Sequence, residues 1–453
     1  MTNPTATFAE IPGTTATAPP RLALTVPRFL LLGLAHAALG AILIGSSLAT
    51  PIAAVAMGGA LLLAIRNPES GPYAAAYAAG SELMWRMSEA AIPWESAKYV
   101  AILALLSTLR RNFRWTPITA LGLAYFFLLL PSTTLTLQSL TLEDARTRIA
   151  FNLSGPATVM VALVAFHCLP IGQIRPLRLL GVFLIPVFGV SSKIILGIAR
   201  AEEIVFETEA SFATSGGYGP NQVATLLGGA TLILVLAGLQ SRLKMHRMLF
   251  LALAGGVLLQ GVLTFSRGGV YSAVLAILAL LVHFVLRPNQ AARLFPVILA
   301  VGLVFWFVVL PRADAWTGGV LSERFQSVDP ARRQQLAQSD LELFRENPVL
   351  GVGPGLAAYQ RQDVNLVGYA AHTEVTRAIS EHGLLGILSF LSLLGASGLA
   401  YLRAPTPGTR AWVASVIVWA LANTMTAAMR LSVVPVCLGL AFIDFSQLRS
   451  RRS

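Results

Sequence analysis

Residues 222–239 read QVATLLGGATLILVLAGL, a run of 18 residues without a charged side chain. An α-helix of about 20 apolar residues can cross the roughly 30 Å hydrocarbon core of a bilayer. Comparable runs recur along the chain, and the membrane spans that they predict are 29–47, 50–65, 116–132, 154–170, 177–198, 222–239, 248–264, 269–286, 294–310, 383–402, 411–428 and 431–446. The sequence therefore predicts an all-α polytopic membrane protein with about 12 transmembrane helices.

The bulk composition supports the membrane class and excludes several kinds of site. Hydrophobic residues make up 55% of the chain and charged residues 12%, with a mean hydropathy of +0.69, which is far from soluble composition. The two cysteines, Cys168 and Cys437, both lie in apolar runs, so neither a disulfide framework nor a cysteine metal site is indicated. We therefore expect no disulfide-based or metal-based stabilisation.

The orientation follows from the loops in which arginine and lysine collect, because cytoplasmic loops carry the excess of positive charge. Clusters such as Arg110–Arg111 and Arg175–Arg178 fall in alternate loops. The predicted organisation is a disordered cytoplasmic tail at 1–27, a transmembrane bundle at 28–310, a large periplasmic loop with two or more helices at 311–382, C-terminal transmembrane helices at 383–446 and a basic cytoplasmic tail at 447–453. The region 67–109 carries too many charges for a lipid-facing span, so we interpret it as interfacial or re-entrant.

Arginines gather on the predicted outer side, against the usual bias. They are Arg200, Arg267, Arg312, Arg324, Arg332, Arg333, Arg345, Arg361, Arg377 and Arg430. An alanine- and arginine-rich genome would explain the high ratio of arginine to lysine but not this location. Because a guanidinium binds phosphate oxygens through two parallel hydrogen bonds, arginines around an outer cavity suit a lipid diphosphate.

One arginine pair opens a predicted helix. Asp329 reads as an N-cap and Pro330 as the first helical residue, so Arg332 and Arg333 fall in the first turn. The helix dipole disfavours cations there unless an anion is bound. This indicates a ligand, with neutralisation by Asp329 or Glu323 as the alternative.

His372 is the candidate general base. It precedes a helix that carries Arg377 and Glu381 as an i, i+4 pair and runs into the next span. A helix N-terminus favours the neutral imidazole, which can accept a proton, although a lone histidine is more often a surface or capping residue. We interpret His382 as a surface residue at a kink before Gly383.

Three further cations are candidates for the same cavity. Arg267 lies in the turn 264–269, where Gly268 and Gly269 allow a close backbone approach. Arg430 lies at another outer turn, and Lys193 lies near the outer end of its span. Snorkelling of the side chain to the membrane surface is the alternative for each, and the favoured one for Lys193.

Several of these segments together resemble the O-antigen ligase and O-antigen polymerase superfamily, a family of bacterial membrane glycosyltransferases. The resemblance rests on Ser266-Arg267-Gly268-Gly269, on Asn347-Pro348-Val349-Leu350-Gly351-Val352-Gly353-Pro354-Gly355, and on His372 leading into Glu381-His382-Gly383-Leu384-Leu385-Gly386. It is strongest over residues 217–394. Many members follow the histidine with asparagine, whereas Thr373 stands here, so no role is carried over to that position.

The resemblance implies a GT-C-type fold in the bacterial inner membrane, with the active site facing the periplasm. It implies transfer of a glycan from undecaprenyl diphosphate to lipid A-core by a ligase, or to another lipid-linked glycan by a polymerase. Arg267, Arg332, Arg333, Arg200, Arg377, Arg430 and Lys193 are the predicted diphosphate-binding residues, and His372 is the predicted catalytic residue.

The remaining expectations concern partners and competing classes. We expect no cofactor, no metal and no nucleic-acid partner, and contact with membrane lipids. The scattered carboxylates of the outer loop, among them Asp340 and Glu374, are interpreted as solvating it. The ligase reading is favoured over the polymerase because one compact outer loop carries most of the polar residues, and a transporter of a lipid-linked sugar is the lower alternative.

Overall fold

The structure is a computed structural model that describes residues 24–170, 175–201, 203–241, 243–285, 299–300, 302–326, 331–361, 363–368, 373–426 and 430–445. All regular elements in these ranges are helical. The α-helices are α1 Val26–Ile42, α2 Ala49–Arg66, α3 Gly71–Arg86, α4 Ser96–Asn112, α5 Pro117–Phe127, α6 Thr133–Ser139, α7 Leu142–Cys168, α8 Pro176–Arg200, α9 Pro220–Gln240, α10 Lys244–Leu263, α11 Arg267–Val285, α12 Leu310–Trp316, α13 Val320–Gln326, α14 Ala331–Glu346, α15 Glu374–Arg403, α16 Pro407–Thr424 and α17 Val433–Gly439. A π-helical turn, Phe305–Val309, leads into α12.

Six helices of this described part are long and apolar enough to cross a membrane, judged by length and composition. They are α2, α7, α8, α9, α10 and α15. Helix α9 contains the opening 18-residue run and is buried along almost its whole length, because α10, α11 and α8 pack around it. The protein is thus an all-helical membrane protein, as its hydropathy predicts.

Helices α3 and α4 form a hairpin within residues 67–109, the region interpreted from the sequence as interfacial or re-entrant. Helix α3 packs between α4 and α8 and is buried from Gly71 to Trp85 with few exceptions. Its charged residues form ion pairs inside the protein, Glu82 with Arg86, as do Glu95 and Lys98 around the start of α4. Pairing removes these charges from the lipid, so α3 does not need to lie at the membrane surface. The re-entrant topology of residues 67–109 stays a prediction.

The bundle has two ends with different chemistry. At one end Arg114, which precedes α5, donates to the His167 carbonyl at 2.9 Å and approaches the Asp444 carboxylate at 3.4 Å. At the other end the last turn of α3 meets the starts of α4 and α9 and the connection between α16 and α17. We call this second end the site end.

The long polar segment 311–382 folds against the site end. Helix α14 packs on α15 through an apolar face on which Leu336 and Leu343 are buried, as the sequence predicts. Asp340 accepts a hydrogen bond from Arg361 at 2.8 Å, with both side chains almost completely buried. Glu374 is buried and paired as well. The prediction that Asp340 and Glu374 solvate this segment is therefore wrong.

Candidate active site

The centre of the site is a break in helix α15. Gly383 has a φ of 60° and a ψ of −140°, so the helix turns there and leaves backbone groups free to bind another segment. A Cβ at Gly383 would lie 2.7 Å from the Gly351 nitrogen and the Pro348 oxygen, which explains why glycine is needed. The kink predicted near His382 is thus confirmed.

The glycine- and proline-rich turn 347–355 fills this break. Val352 donates its backbone N–H to the Ser380 carbonyl at 2.9 Å, and Gly353 donates to the Glu381 carbonyl at 3.0 Å. The Leu384 N–H donates to the Pro348 carbonyl at 2.8 Å. Two sequence motifs that are separated along the chain therefore form one structural unit.

The side chains at the break point inward. His382 is buried and hydrogen-bonds the Ser132 hydroxyl through Nδ1. The Glu381 carboxylate, also buried, accepts the backbone N–H of Gly355. The interpretation of His382 as a surface residue is wrong, because the turn 347–355 and the segment before α6 cover it.

Arg377 lies one turn before the break and is held by α7. Its guanidinium forms an ion pair with Glu374 and donates to Asn152 Oδ1 at 3.2 Å. The predicted pairing with Glu381 is therefore replaced by a direct pairing with Glu374. Arg148, one turn from Asn152 on α7, donates to the Gly355 carbonyl at 2.9 Å and lies 4.1 Å above the Tyr359 ring.

Arg430 adds a second cation beside Arg377. Its guanidinium lies 5.9 Å from the centre of the Phe151 ring, and its Nε has no hydrogen-bond partner among the described residues. Burial lowers the pKa of Arg430 below its usual value, and the positive charge of Arg377 adds to this effect, whereas Glu374 opposes it. The Glu374 carboxylate forms its ion pair with Arg377, and Arg430 lies close enough to both groups for their charges to act on it.

Arg86 joins this group from the other side. Its Nη2 donates to the Arg430 carbonyl at 3.5 Å and to the Trp94 carbonyl at 2.9 Å, and Nη1 donates to Gln222 Oε1 at 3.3 Å. Glu82, its ion-pair partner, also accepts the backbone N–H and the hydroxyl of Ser432 at 2.6 Å each. Arg86 therefore fixes the connection that carries Arg430.

The other predicted cationic residues lie in different environments. Arg267 lies at the site end, donating to the Arg324 carbonyl at 3.3 Å, and its neighbour Gly268 packs on Thr426. Lys193 is buried, its Nζ has no hydrogen-bond partner among the described residues, and its charged neighbour is Glu89. Arg200 is exposed at the end of α8 and is not brought to Arg377.

Five residues named in the sequence analysis cannot be placed by side-chain contacts. His372 lies outside the described residues, as do Asp329 and Pro330. Arg332 and Arg333 fall in the first turn of α14, but their side chains are outside the described part. Their roles stay predictions.

Arg86 and Arg148 were missed as site residues. Each had a signal in the sequence, because Arg86 follows Glu82 by one turn inside an apolar region, and Arg148 begins the polar end of a span. Charges in such places must be paired or functional. The signal identifies a buried charge, but it does not show which neighbours the fold supplies.

This arrangement is suited to an anion. Arg148 and Arg430 form no ion pair with a carboxylate among the described residues, while Arg377 has one carboxylate partner. In the same part of the chain, no group of three or more histidine, cysteine, aspartate or glutamate residues could hold a metal ion. Partly buried guanidiniums with free donors bind phosphate groups through charge-assisted hydrogen bonds.

Comparison with known families agrees with the motifs. Residues 249–391 match the family model described as O-antigen ligase. This part of the chain is therefore similar to the O-antigen ligase family. The resemblance to the O-antigen ligase and polymerase superfamily is thereby confirmed, and the match implies a glycosyltransferase-like enzyme that uses lipid-linked glycans. None of the curated proteins matches this chain. The matched region includes the turn 347–355 and the break at Gly383, whereas Arg148 and Arg430 lie outside it.

Proposed function

We propose that this protein transfers a glycan from undecaprenyl diphosphate to an acceptor hydroxyl at the periplasmic face of the bacterial inner membrane. The observation that carries the proposal is the grouping of Arg377, Arg430 and Arg148 around the break in α15, inside or beside the region that is similar to the O-antigen ligase family. These residues come from three distant parts of the chain. Their positive charge matches a diphosphate, which is the leaving group of the proposed reaction.

The reaction needs only the parts already described and one base. The acceptor oxygen attacks the anomeric carbon of the donor sugar, and the bond between that carbon and the diphosphate oxygen breaks. The diphosphate leaves with the electron pair, and the arginines stabilise its developing charge. His372 accepts or positions the acceptor proton. In this proposal neither a metal nor a cofactor takes part.

A ligase is the favoured form, with lipid A-core as acceptor. The supporting feature is that one compact segment, 311–382, carries most of the polar residues of the predicted outer side, with no second large loop. A polymerase of O-antigen or exopolysaccharide, with a lipid-linked repeat as acceptor, is the second candidate. A polymerase requires the same binding of the diphosphate, so only the acceptor distinguishes a ligase from a polymerase.

The proposed topology places the site end in the periplasm. If α3 and α4 are counted as crossings, the proposed number of spans rises from about 12 to about 14 without changing the orientation of later helices. Single cysteines at Gln360 and Ser241, introduced after replacement of the buried Cys168 and Cys437, should be labelled from opposite sides of the membrane. Labelling from the same side would refute this orientation.

The activity is tested with purified protein and an undecaprenyl-diphosphate oligosaccharide. Lipid A-core and a lipid-linked repeat are offered in separate reactions to wild type, His372→Ala and Arg430→Ala. Product on lipid A-core identifies a ligase, and a ladder on the repeat identifies a polymerase. Full activity of folded His372→Ala would exclude His372 as the base, and absence of transfer by folded wild type with both acceptors would contradict the proposed function.

A further inference from the structure

A pocket lies at the site end, next to the group formed by Arg377, Arg430 and Arg148. It has a volume of about 570 Å³ and lies between the turn that joins α1 to α2, the connection that joins α3 to α4, and the turn at residues 216–218. Arg86 belongs to both places, since its side chain lines the pocket while its Nη2 donates to the Arg430 carbonyl. The pocket is therefore a neighbour of the proposed diphosphate site.

Aromatic rings form one wall of this pocket. Trp94 is 49% exposed although the Arg86 guanidinium lies 4.1 Å from the centre of its ring. The ring of Tyr218 is 6.4 Å away, at an angle of 31°. Since Glu82 fixes Arg86 by an ion pair, the indole has a supported face and retains a large open area. A rigid, half-open indole is the group on which the C–H face of a pyranose ring stacks.

Polar groups without partners face the same space. The Trp85 side chain lines the pocket and is 1% exposed, and its indole N–H has no hydrogen-bond partner among the described residues. The Nε of Arg86 is equally without an acceptor there. Buried donors are normally paired, so these two N–H groups are available to an acceptor that a ligand or a water molecule supplies. Glu89, exposed on the rim, offers a carboxylate that accepts from hydroxyl groups.

The charges of the lining decide between two classes of ligand. Arg86 is already paired with Glu82, and Glu89 adds a negative charge, so a second phosphate would be repelled. A sugar is neutral at its ring and combines hydroxyl donors, hydroxyl acceptors and an apolar face. Glu89 also has a φ of 54°, a left-handed conformation that is uncommon for a residue with a side chain and is concentrated at functional sites.

We propose that this pocket binds one sugar ring of a glycan substrate, stacked on Trp94. The inference rests on the proposed function, because it adds a carbohydrate subsite beside the proposed diphosphate site. The ring belongs either to the donor glycan or to the acceptor glycan. Both have the same chemistry, so the experiment has one arm for each.

Binding is measured by calorimetry on the purified full-length protein. The probes are free repeat-unit oligosaccharide and free core oligosaccharide, both prepared from the lipopolysaccharide of the producing strain. The variants are Trp94→Ala, Trp94→Phe and Trp85→Phe, and the matched control is Trp115→Ala, a 72% exposed tryptophan beside Arg114 at the opposite end of the bundle. Trp94→Ala should weaken binding of one oligosaccharide about tenfold, as for a buried aromatic anchor.

The pattern across variants identifies the source of the sugar. Trp94→Phe should retain most of the affinity because a ring remains. Trp85→Phe should lose a smaller part than Trp94→Ala, because it removes the N–H and part of a buried ring but leaves the Trp94 ring in place. Trp115→Ala should bind as wild type. Loss of core oligosaccharide binding assigns the subsite to the acceptor of a ligase. Loss of repeat-unit binding assigns it to the donor of a ligase or to a lipid-linked repeat of a polymerase, and the transfer assay with separate acceptors distinguishes these two enzymes. If Trp94→Ala fails to fold, Trp94→Leu takes its place, because it keeps apolar bulk but removes the ring on which the sugar stacks.

Failure of the subsite and failure of the function are distinguishable. If neither oligosaccharide binds wild type, or if all folded variants bind as wild type, the subsite is overturned even when transfer is observed. If binding depends on Trp94 but wild type transfers to neither acceptor, the subsite stands and the proposed reaction falls.

Discussion

Charged and aromatic residues behave differently in two regions of the molecule. One region is the long polar segment 311–382, and the other consists of the two short connections 87–95 and 425–432. The long segment attracts attention in the sequence, yet many polar side chains of α14, such as Glu342 and Arg345, are simply exposed. The short connections attract little attention, yet they bring Trp94 and Arg430 to the centre of the site end. A polar residue in a polar segment is free to face water, whereas an arginine in a short connection between apolar helices is held near the protein interior.

The largest expected effect on stability concerns the ion pair between Asp340 and Arg361. This pair is an exception in the long segment, because its side chains are buried and not exposed. Asp340→Asn leaves the Arg361 guanidinium buried without its carboxylate and should lower the free energy of unfolding by about 3–5 kcal/mol. The matched control is Glu342→Gln, two residues further along α14 and exposed. Thermal unfolding in detergent, with proteolysis of the segment as a second readout, checks this. Equal melting temperatures would show that the pair contributes little.

The second prediction compares Arg430, in a short connection, with Arg345, in the long segment. Arg430→Ala should reduce glycan transfer about 100-fold, because a donor to the leaving diphosphate is lost, whereas Arg345→Ala should stay near wild type. Arg430→Lys should recover part of the rate, since the charge returns without the planar donor pair. Initial rates at saturating acceptor provide the measurement. A larger loss for Arg345→Ala than for Arg430→Ala would reverse the comparison.

The smallest predicted effect on stability concerns Gly383, at the break in α15. Gly383→Ala forces an alanine into a positive φ and against the Gly351 and Pro348 backbone, and should lower the free energy of unfolding by about 1–3 kcal/mol. Gly398→Ala, on the same helix with no atom within 4 Å of the added Cβ, is the control. The melting temperatures of the two variants decide the matter. If Gly398→Ala is the less stable variant, the break in α15 is not what holds the turn 347–355.

Sequence reasoning was most successful where a local pattern has one physical solution. Apolar runs near 20 residues form helices that cross a bilayer, and a glycine followed by a second apolar run predicts the kink at Gly383. It failed at His382, because burial there depends on the turn 347–355, which returns from far along the chain. For residues 67–109 it did not show that Glu82 and Arg86 form an ion pair inside the protein, because spacing alone does not show that both face inward.

The site was predicted in part. Arg377 and Arg430 were named from their position on one side of the membrane, and the structure makes them neighbours. Arg200 satisfied the same criterion and is exposed elsewhere, because a side of the membrane is a large area and a binding site is a small part of it. His372, Arg332 and Arg333 stay predictions. The partner of Arg377 on α7, Asn152, had no signal in the sequence.

By itself, the sequence determined the membrane class, the helical architecture and the resemblance to the O-antigen ligase family. These properties depend on composition, on runs of neighbouring residues and on short motifs. Only the tertiary structure decided which arginines share a site, that the turn 347–355 fills the break in α15, and that Arg86 links this site to a pocket with Trp94. These are contacts between residues as much as 344 positions apart, and they depend on how the helices pack.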